Sequence, residues 1–339
     1  MRKIIVIICS MIFLITAVTA GQAVYKVINQ PQLDKTKNVN VMLKRPHNWK
    51  KIIDSPIIAE DEMTMLDGST ATIPITSELF RQFYNYSDRK INRNRIVLHS
   101  TTHNAYINLI DKKCKNRISD ENFPSVDLIF VTPPSDEEMQ YAQSKQIELD
   151  ITPIAMDGFV FITNKSNPVD SLTIEQIQDI YTGKITNWKQ LGGEDLDIKA
   201  YQREKNSGSQ TAMEQMVMKG KNMVQPIEID FDRDLYSTMG GLIDAVAEYE
   251  NGKASIGYTY YYYINNLYRN DNIKVLKVNG ISPENENLLN KSYPFTTSYY
   301  AVMRNDEAAD SPARKLRDFL LTEKGQQLIE MAGYCRSVK

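Results

Sequence analysis

The sequence predicts an α/β fold of about two domains. From about residue 60 onward, short apolar runs alternate with segments of helical spacing, the pattern of strands joined by crossover helices. The length of 339 residues fits roughly two domains of ordinary size. A hydrophobic fraction of 42% with 24% charged residues is enough for two apolar cores without metal or disulfide staples.

The N-terminus stands apart from this pattern. Arg2 and Lys3 precede an apolar run over residues 4–20, which ends in Val18-Thr19-Ala20 before Gly21. A short basic segment, an apolar stretch and small residues at the cleavage point make a secretory signal. The run is also near the lower length limit for a spanning helix. Residues 1–20 are therefore either a signal peptide cleaved after Ala20 or an N-terminal anchor. Cys9 lies inside the run rather than after it, which argues against lipid attachment. Either way the body is exported, and the expected location is extracytoplasmic. Residues 21–55 are polar and basic, with Lys26, Lys35, Lys37, Lys44, Arg45, Lys50 and Lys51 against Asp34 and Asp54. They read as a linker, either resting on anionic lipid or simply solvated.

In the body, residues 95–98 read as a strand and 105–110 as a helix. Val126–Val131 reads as a buried strand, 137–145 as a helix and 159–163 as another strand. Ile174, Ile177, Ile180 and Tyr181 give helical spacing over 173–182. The run Tyr260-Tyr261-Tyr262-Tyr263 is either a stacking surface or a strand end with alternate rings buried.

Charge and rare residues narrow the function. Lys and Arg total 40 against 42 Asp and Glu, a net charge of −2. No basic excess exists to neutralise a phosphate backbone, so nucleic acid is not an expected partner. The histidines are His47, His99 and His103, and the cysteines are Cys9, Cys114 and Cys335. None has metal-ligand spacing, so no metal, cofactor or Cys/His catalytic centre is expected. Export permits a disulfide between Cys114 and Cys335, with two buried free thiols as the alternative.

Three hydroxyl-rich turns stand ahead of helices. The first is Asp67-Gly68-Ser69-Thr70-Ala71-Thr72, before Pro74 and a helix over 77–84. The second is Ser100-Thr101-Thr102-His103-Asn104. The third runs Arg203-Glu204-Lys205-Asn206-Ser207-Gly208-Ser209-Gln210-Thr211, before a helix over 212–218. Helix starts carry unpaired N–H groups and attract anions. Hydroxyls add donors, Gly admits close approach, and Arg203 adds a fork suited to a tetrahedral oxyanion. Plain helix capping explains the same residues one turn at a time. A nucleophile elbow is absent around Ser207-Gly208-Ser209, so no enzyme is expected.

From residue 60 onward the sequence resembles the phosphate-binding proteins of ABC phosphate importers, a type II periplasmic-binding-protein family. The resemblance is carried by Asn167-Pro168-Val169-Asp170-Ser171-Leu172-Thr173 and Ile177-Gln178-Asp179-Ile180-Tyr181-Thr182-Gly183-Lys184-Ile185-Thr186-Asn187-Trp188. Ala254-Ser255-Ile256-Gly257-Tyr258, Val278-Asn279-Gly280-Ile281, Tyr293-Pro294-Phe295 and the C-terminal helix near Gly325-Gln326-Gln327 extend it. It implies two lobes of mixed, mostly parallel sheet joined by a two-strand hinge, with residues 56–160 plus 262–339 as lobe one and 161–261 as lobe two. It further implies a monomer that holds inorganic phosphate or a related oxyanion for an ABC permease. By resemblance the ligand-binding residues are Ser69, Thr70, Thr72, Thr102, Arg203, Ser207, Gly208 and Ser209. Thr132 stands where family members that select phosphate carry an aspartate, which leaves sulfate and other oxyanions open. Asp67 is the candidate replacement as proton acceptor, with support of its own turn as the alternative.

Overall fold

The computed structural model describes residues 49–87, 90–91, 98–112, 114–115, 122–123, 125–227, 242–243, 246–247 and 252–337. The signal or anchor, the linker up to residue 48 and residues 95–97 of the expected strand lie outside the described residues. The strands in chain order are β1 (Met65–Gly68), β2 (Cys114–Lys115), β3 (Asn122–Phe123), β4 (Val126–Val131), β5 (Leu149–Asn164), β6 (Ser171–Leu172), β7 (Lys199–Ala200), β8 (Ser255–Tyr260), β9 (Ile273–Val275), β10 (Lys277–Val278), β11 (Thr296–Arg304) and β12 (Cys335–Arg336). The helices are α1 (Ile73–Tyr84), α2 (Thr102–Asp111), α3 (Asp136–Ser144), α4 (Ile174–Tyr181), α5 (Gly208–Ala212), α6 (Asn285–Leu289), α7 (Pro312–Leu320) and α8 (Glu323–Met331).

The main sheet has the order β1-β4-β11-β5-β8-β7, with β9 and β12 also paired to β5. β1 and β4 are parallel, as are β7 and β8. β5 and β11 run antiparallel to each other, β11 also to β4, and β5 also to β8 and β9. The sheet is mixed, as expected, but antiparallel pairings outnumber parallel ones among the described residues. The reason is that the two longest strands run back against their neighbours rather than following the strand–helix–strand alternation.

β5 is the spine of the molecule. Residues 149–158 pair with β11, and residues 159–163 pair with β8, so the strand changes partner between Gly158 and Phe159. Phe159 stands opposite Tyr260. The near-continuous apolar stretch Phe159-Val160-Phe161-Ile162 is buried, as a strand covered on both faces requires. The expected strand over 159–163 is therefore the inner end of a longer one, whose earlier half is only partly buried.

Local signals set the helices. Ser135 and Glu138 form a reciprocal capping box at α3, and Thr173 and Gln176 form one at α4. α1 begins at Ile73, four residues before the expected start, because Pro74 occupies the first turn, where its missing N–H costs nothing. The expected helix over 212–218 starts earlier as α5 and continues as a π-helical segment, Met213–Met218. The most distinctive sequence stretch is architectural: Trp188 is fully buried with Nε1 donating to Ala254 O at 2.9 Å, and Asn167 Nδ2 donates to Lys253 O at 2.9 Å.

The packed body begins before residue 56. Trp49 Nε1 donates to Glu78 Oε1 at 2.6 Å, Ile52 N donates to Gln82 Oε1 at 2.8 Å, and Ile53 is buried. The last residues assigned to the linker thus strap across α1, whose Glu78, Arg81 and Gln82 are buried beneath them and bonded to one another. Cys335 is a buried free thiol, pushed up to about 11 by burial. In the tyrosine run, Tyr260, Tyr262 and Tyr263 are all buried, because the strand ends at Tyr260 and helical backbone turns the next rings inward.

Asp157 lies in β5 just before the partner change and is buried. Its Oδ1 accepts from Gly158 N at 2.7 Å and Tyr262 N at 3.1 Å, and Oδ2 accepts from the Tyr299 hydroxyl at 3.1 Å. Burial outweighs these donors and raises the carboxyl from the usual 3.8 to about 7. Between about pH 4 and 7 the native state holds a proton that the unfolded chain has released, so stability is lost as pH rises through that window. Asp157→Asn keeps an acceptor for both N–H groups but cannot ionise. Thermal unfolding of the two proteins at pH 5 and pH 8 should show the wild type losing roughly 2–3 kcal/mol more than the variant. Parallel pH profiles would contradict this placement of the proton.

Candidate functional site

The carboxyl ends of β1 and β4 bring the first two turns together. Ser69 N donates to Phe130 O at 2.9 Å, and Thr72 Oγ1 lies 2.8 Å from the same carbonyl and 2.9 Å from Ser69 O. His99 Nδ1 lies 2.9 Å from Ser69 O, and burial lowers this imidazole to about 4, so it is neutral and donates. Asp67 joins this turn to the second. It accepts from Gly68 N at 2.7 Å, Ser100 N and Asn108 Nδ2 at 2.9 Å each, and the Ser100 hydroxyl. Burial raises its carboxyl despite the four donors. Thr101, the residue before α2, has φ of 81°, a strained conformation for a β-branched side chain and one that clusters at functional sites.

The third turn approaches from α5. Ser207 caps this helix, accepting from Gln210 N at 3.2 Å, so the capping role is realised here. Gln210 and Tyr258 hold the backbone of Arg203 through its N–H, at 3.1 and 3.0 Å. Gly208 then lies directly against the second turn and the end of β4. A Cβ placed on it would come within 2.2 Å of Thr132 Oγ1 and 2.7 Å of Thr102 Oγ1. The Tyr260 hydroxyl donates to Gly208 O at 3.0 Å and bonds the Thr132 side chain. At the rim, Glu137 pairs with Lys205 and accepts from Asn206 Nδ2 at 2.6 Å, and Gln215 Nε2 donates to Pro134 O at 3.2 Å.

These segments enclose a cavity of about 150 Å³, lined by Ser69, Thr70, Thr102, Thr132, Arg203, Ser207, Gly208 and Ser209 among the expected residues. Drug-sized ligands occupy roughly 300–1,000 Å³, so this space suits a small ligand. Asp67 and Thr72 are not on its wall. Their side chains are spent on Ser100, Asn108 and the Ser69 and Phe130 carbonyls, which is the turn-supporting alternative for Asp67. Thr101, His103, Asn104, Lys205, Asn206 and Tyr260 join the lining beyond the expected set. Helix-start position gave a signal for the first three. Tyr260 had none beyond the tyrosine run itself.

Donors dominate this wall. The Ser69 hydroxyl is buried and has no hydrogen-bond partner within the described residues. Arg203 is 8% exposed, and burial disfavours its charged form. A guanidinium and several hydroxyl donors on one small wall suit an anion. Among the described residues no group of His, Cys, Asp and Glu could hold a metal ion.

Comparison with known proteins agrees with the fold. A family model described as a PBP superfamily domain matches residues 68–322. The phosphate-binding protein PstS of Borreliella burgdorferi is 25% identical over 278 residues, covering 81% of this chain and 90% of that protein. A crystal structure of a phosphate ABC transporter substrate-binding protein with bound phosphate from Clostridium perfringens is 27% identical, with a TM-score of 0.58 over 82% of this chain and 100% of the other. An ABC-type phosphate transport receptor from Vibrio cholerae, at 22% identity and a TM-score of 0.56 over 81% and 99% of the two chains, shares the fold. With the family model spanning all three turns that line the cavity and most of the chain, the protein belongs to the PBP superfamily.

Proposed function

We propose that the chain is an exported solute-binding protein that captures inorganic phosphate in the cavity and presents it to an ABC permease, with no chemistry done on the ligand. The observation that carries this reading is the convergence of three separate turns on one small donor-rich cavity. The buried Ser69 hydroxyl and the buried Arg203 guanidinium both lie on its wall. The similarity to a substrate-binding protein with bound phosphate supports the choice of ligand. Location outside the cytoplasm rests on the N-terminal signal or anchor; among the described residues no helix is long and apolar enough to cross a membrane.

Capture works by closure of two lobes. In this reading lobe one is residues 56–160 plus 262–339, extended by the strap from Trp49, and lobe two is residues 161–261. The hinge lies where β5 changes partner, at Phe159 beside Tyr260. Thr102 and Thr132 belong to one lobe and Gly208 to the other, so an anion touching both holds the lobes together. The Glu137–Lys205 pair then acts as an outer latch. A monomer suffices, since all three turns come from one chain.

Titration calorimetry of the phosphate-free full chain against phosphate, sulfate, arsenate and molybdate tests the reading. Micromolar or tighter phosphate binding is expected, and absence of heat with every anion from folded protein would contradict it. Gly208→Ala should weaken phosphate binding at least tenfold, because its Cβ meets the Thr132 and Thr102 hydroxyls and holds the lobes apart. Unchanged affinity would place the ligand elsewhere. Glu137→Gln should cost only about two- to fivefold, mostly as faster release, since both partners of that pair are largely exposed. A loss beyond a hundredfold would mean the latch carries the binding.

A further inference from the structure

Hydrogen phosphate differs from sulfate by the one proton it carries, so a cleft that prefers it needs an acceptor among its donors. Among the described lining residues Glu204 is the one carboxylate, and it is exposed to solvent. The amides of Asn104 and Asn206 donate away from the cavity, to Ser100 O at 2.8 Å and Glu137 Oε2 at 2.6 Å. Their oxygens, like the hydroxyls, offer the same chemistry at every pH between 5 and 9.

His103 is different, and its surroundings fix its proton. Nδ1 lies 2.9 Å from Glu138 Oε1, while Glu138 Oε2 accepts from Ser135 N at 2.8 Å. Glu138 is 1% exposed and locked in the capping box of α3. A carboxylate has no proton to give, so Nδ1–H is the donor and Nε2 of the neutral ring keeps a lone pair. His103 is among the residues that line the cavity, next in sequence to Thr102.

We infer that His103 sets the anion selectivity of the cleft. With Nδ1–H held by Glu138, Nε2 accepts from the protonated oxygen of hydrogen phosphate and disfavours sulfate, which has no proton to offer. The inference rests on the oxyanion reading of the cavity. Glu138 and Glu137 face the ring from α3, and Arg203, Glu204 and Lys205 stand on the facing turn. The bond to Glu138, helped by the charges of Glu138 and Glu137, outweighs partial burial and holds the imidazolium to a higher pH than usual. Below that point Nε2 becomes a donor, the cleft gains a positive charge, and sulfate is admitted.

The test compares phosphate and sulfate affinities at pH 6 and pH 8.5 for the full-length wild type, His103→Ala and Glu138→Gln. The titration of phosphate itself is common to all three proteins and cancels. Glu138→Gln keeps an oxygen for Ser135 N but turns an NH₂ toward Nδ1, which moves the ring proton to Nε2, the wrong tautomer. The wild type should gain phosphate-over-sulfate preference on going to pH 8.5. Both variants should lose about tenfold or more of that preference and show little change with pH. Sulfate binding by the variants reports that the cleft is intact. Phosphate binding whose preference over sulfate is the same in all three proteins would overturn the role of His103 alone. A folded wild type that binds no phosphate at either pH would overturn the phosphate reading and this inference together.

Discussion

The site depends on a close approach between backbone and side chains at one point. Gly208 lies against the Thr102 and Thr132 hydroxyls at a separation that leaves no room for a methyl group. That contact brings together a turn near residue 100, the end of β4 and the start of α5, which are far apart in sequence. The Tyr260 hydroxyl reinforces it by bonding both Gly208 O and Thr132. Arg203 and Ser209 reach the cavity because the same turn carries them there.

A second layer of interactions holds the turns from behind the cavity wall. Asp67 spends a buried carboxylate on donors from Gly68, Ser100 and Asn108, joining the end of β1 to the start of α2. His99 and Thr72 fix the Ser69 carbonyl from two sides. Preorganised donors bind an anion better than mobile ones, because less ordering remains to be done on binding. Asp67 therefore shapes this site from behind, while hydroxyl groups and the Arg203 guanidinium stand on its wall.

Much of this was legible in the sequence, for local reasons. The β4 strand, the helices α3 and α4 and the helix starts after the three hydroxyl-rich turns rest on short-range chemistry, and they fall close to where the residues predicted. What could not be read depends on contacts between distant segments. The outer half of β5 is partly exposed and takes its strand character from β11, so only its apolar inner end stood out. Asp67 and Thr72 sit in the right turn, but the direction of each side chain follows from strand parity and from the position of Phe130 O. Tyr260 serves the site only because β8 ends there opposite Gly208, which no pattern within the four tyrosines encodes. The strap from Trp49 looked like linker because its single indole anchor carries no periodicity.

The most direct test is a crystal structure of the chain grown with arsenate, a tetrahedral oxyanion whose arsenic can be located by its anomalous signal. The account predicts one arsenic peak inside the cavity, with oxygens within hydrogen-bond distance of the Ser69, Thr102 and Ser209 hydroxyls and the Arg203 guanidinium. An arsenic site elsewhere, or a cavity holding only water at millimolar arsenate, would contradict the claim that these three turns form an oxyanion cradle.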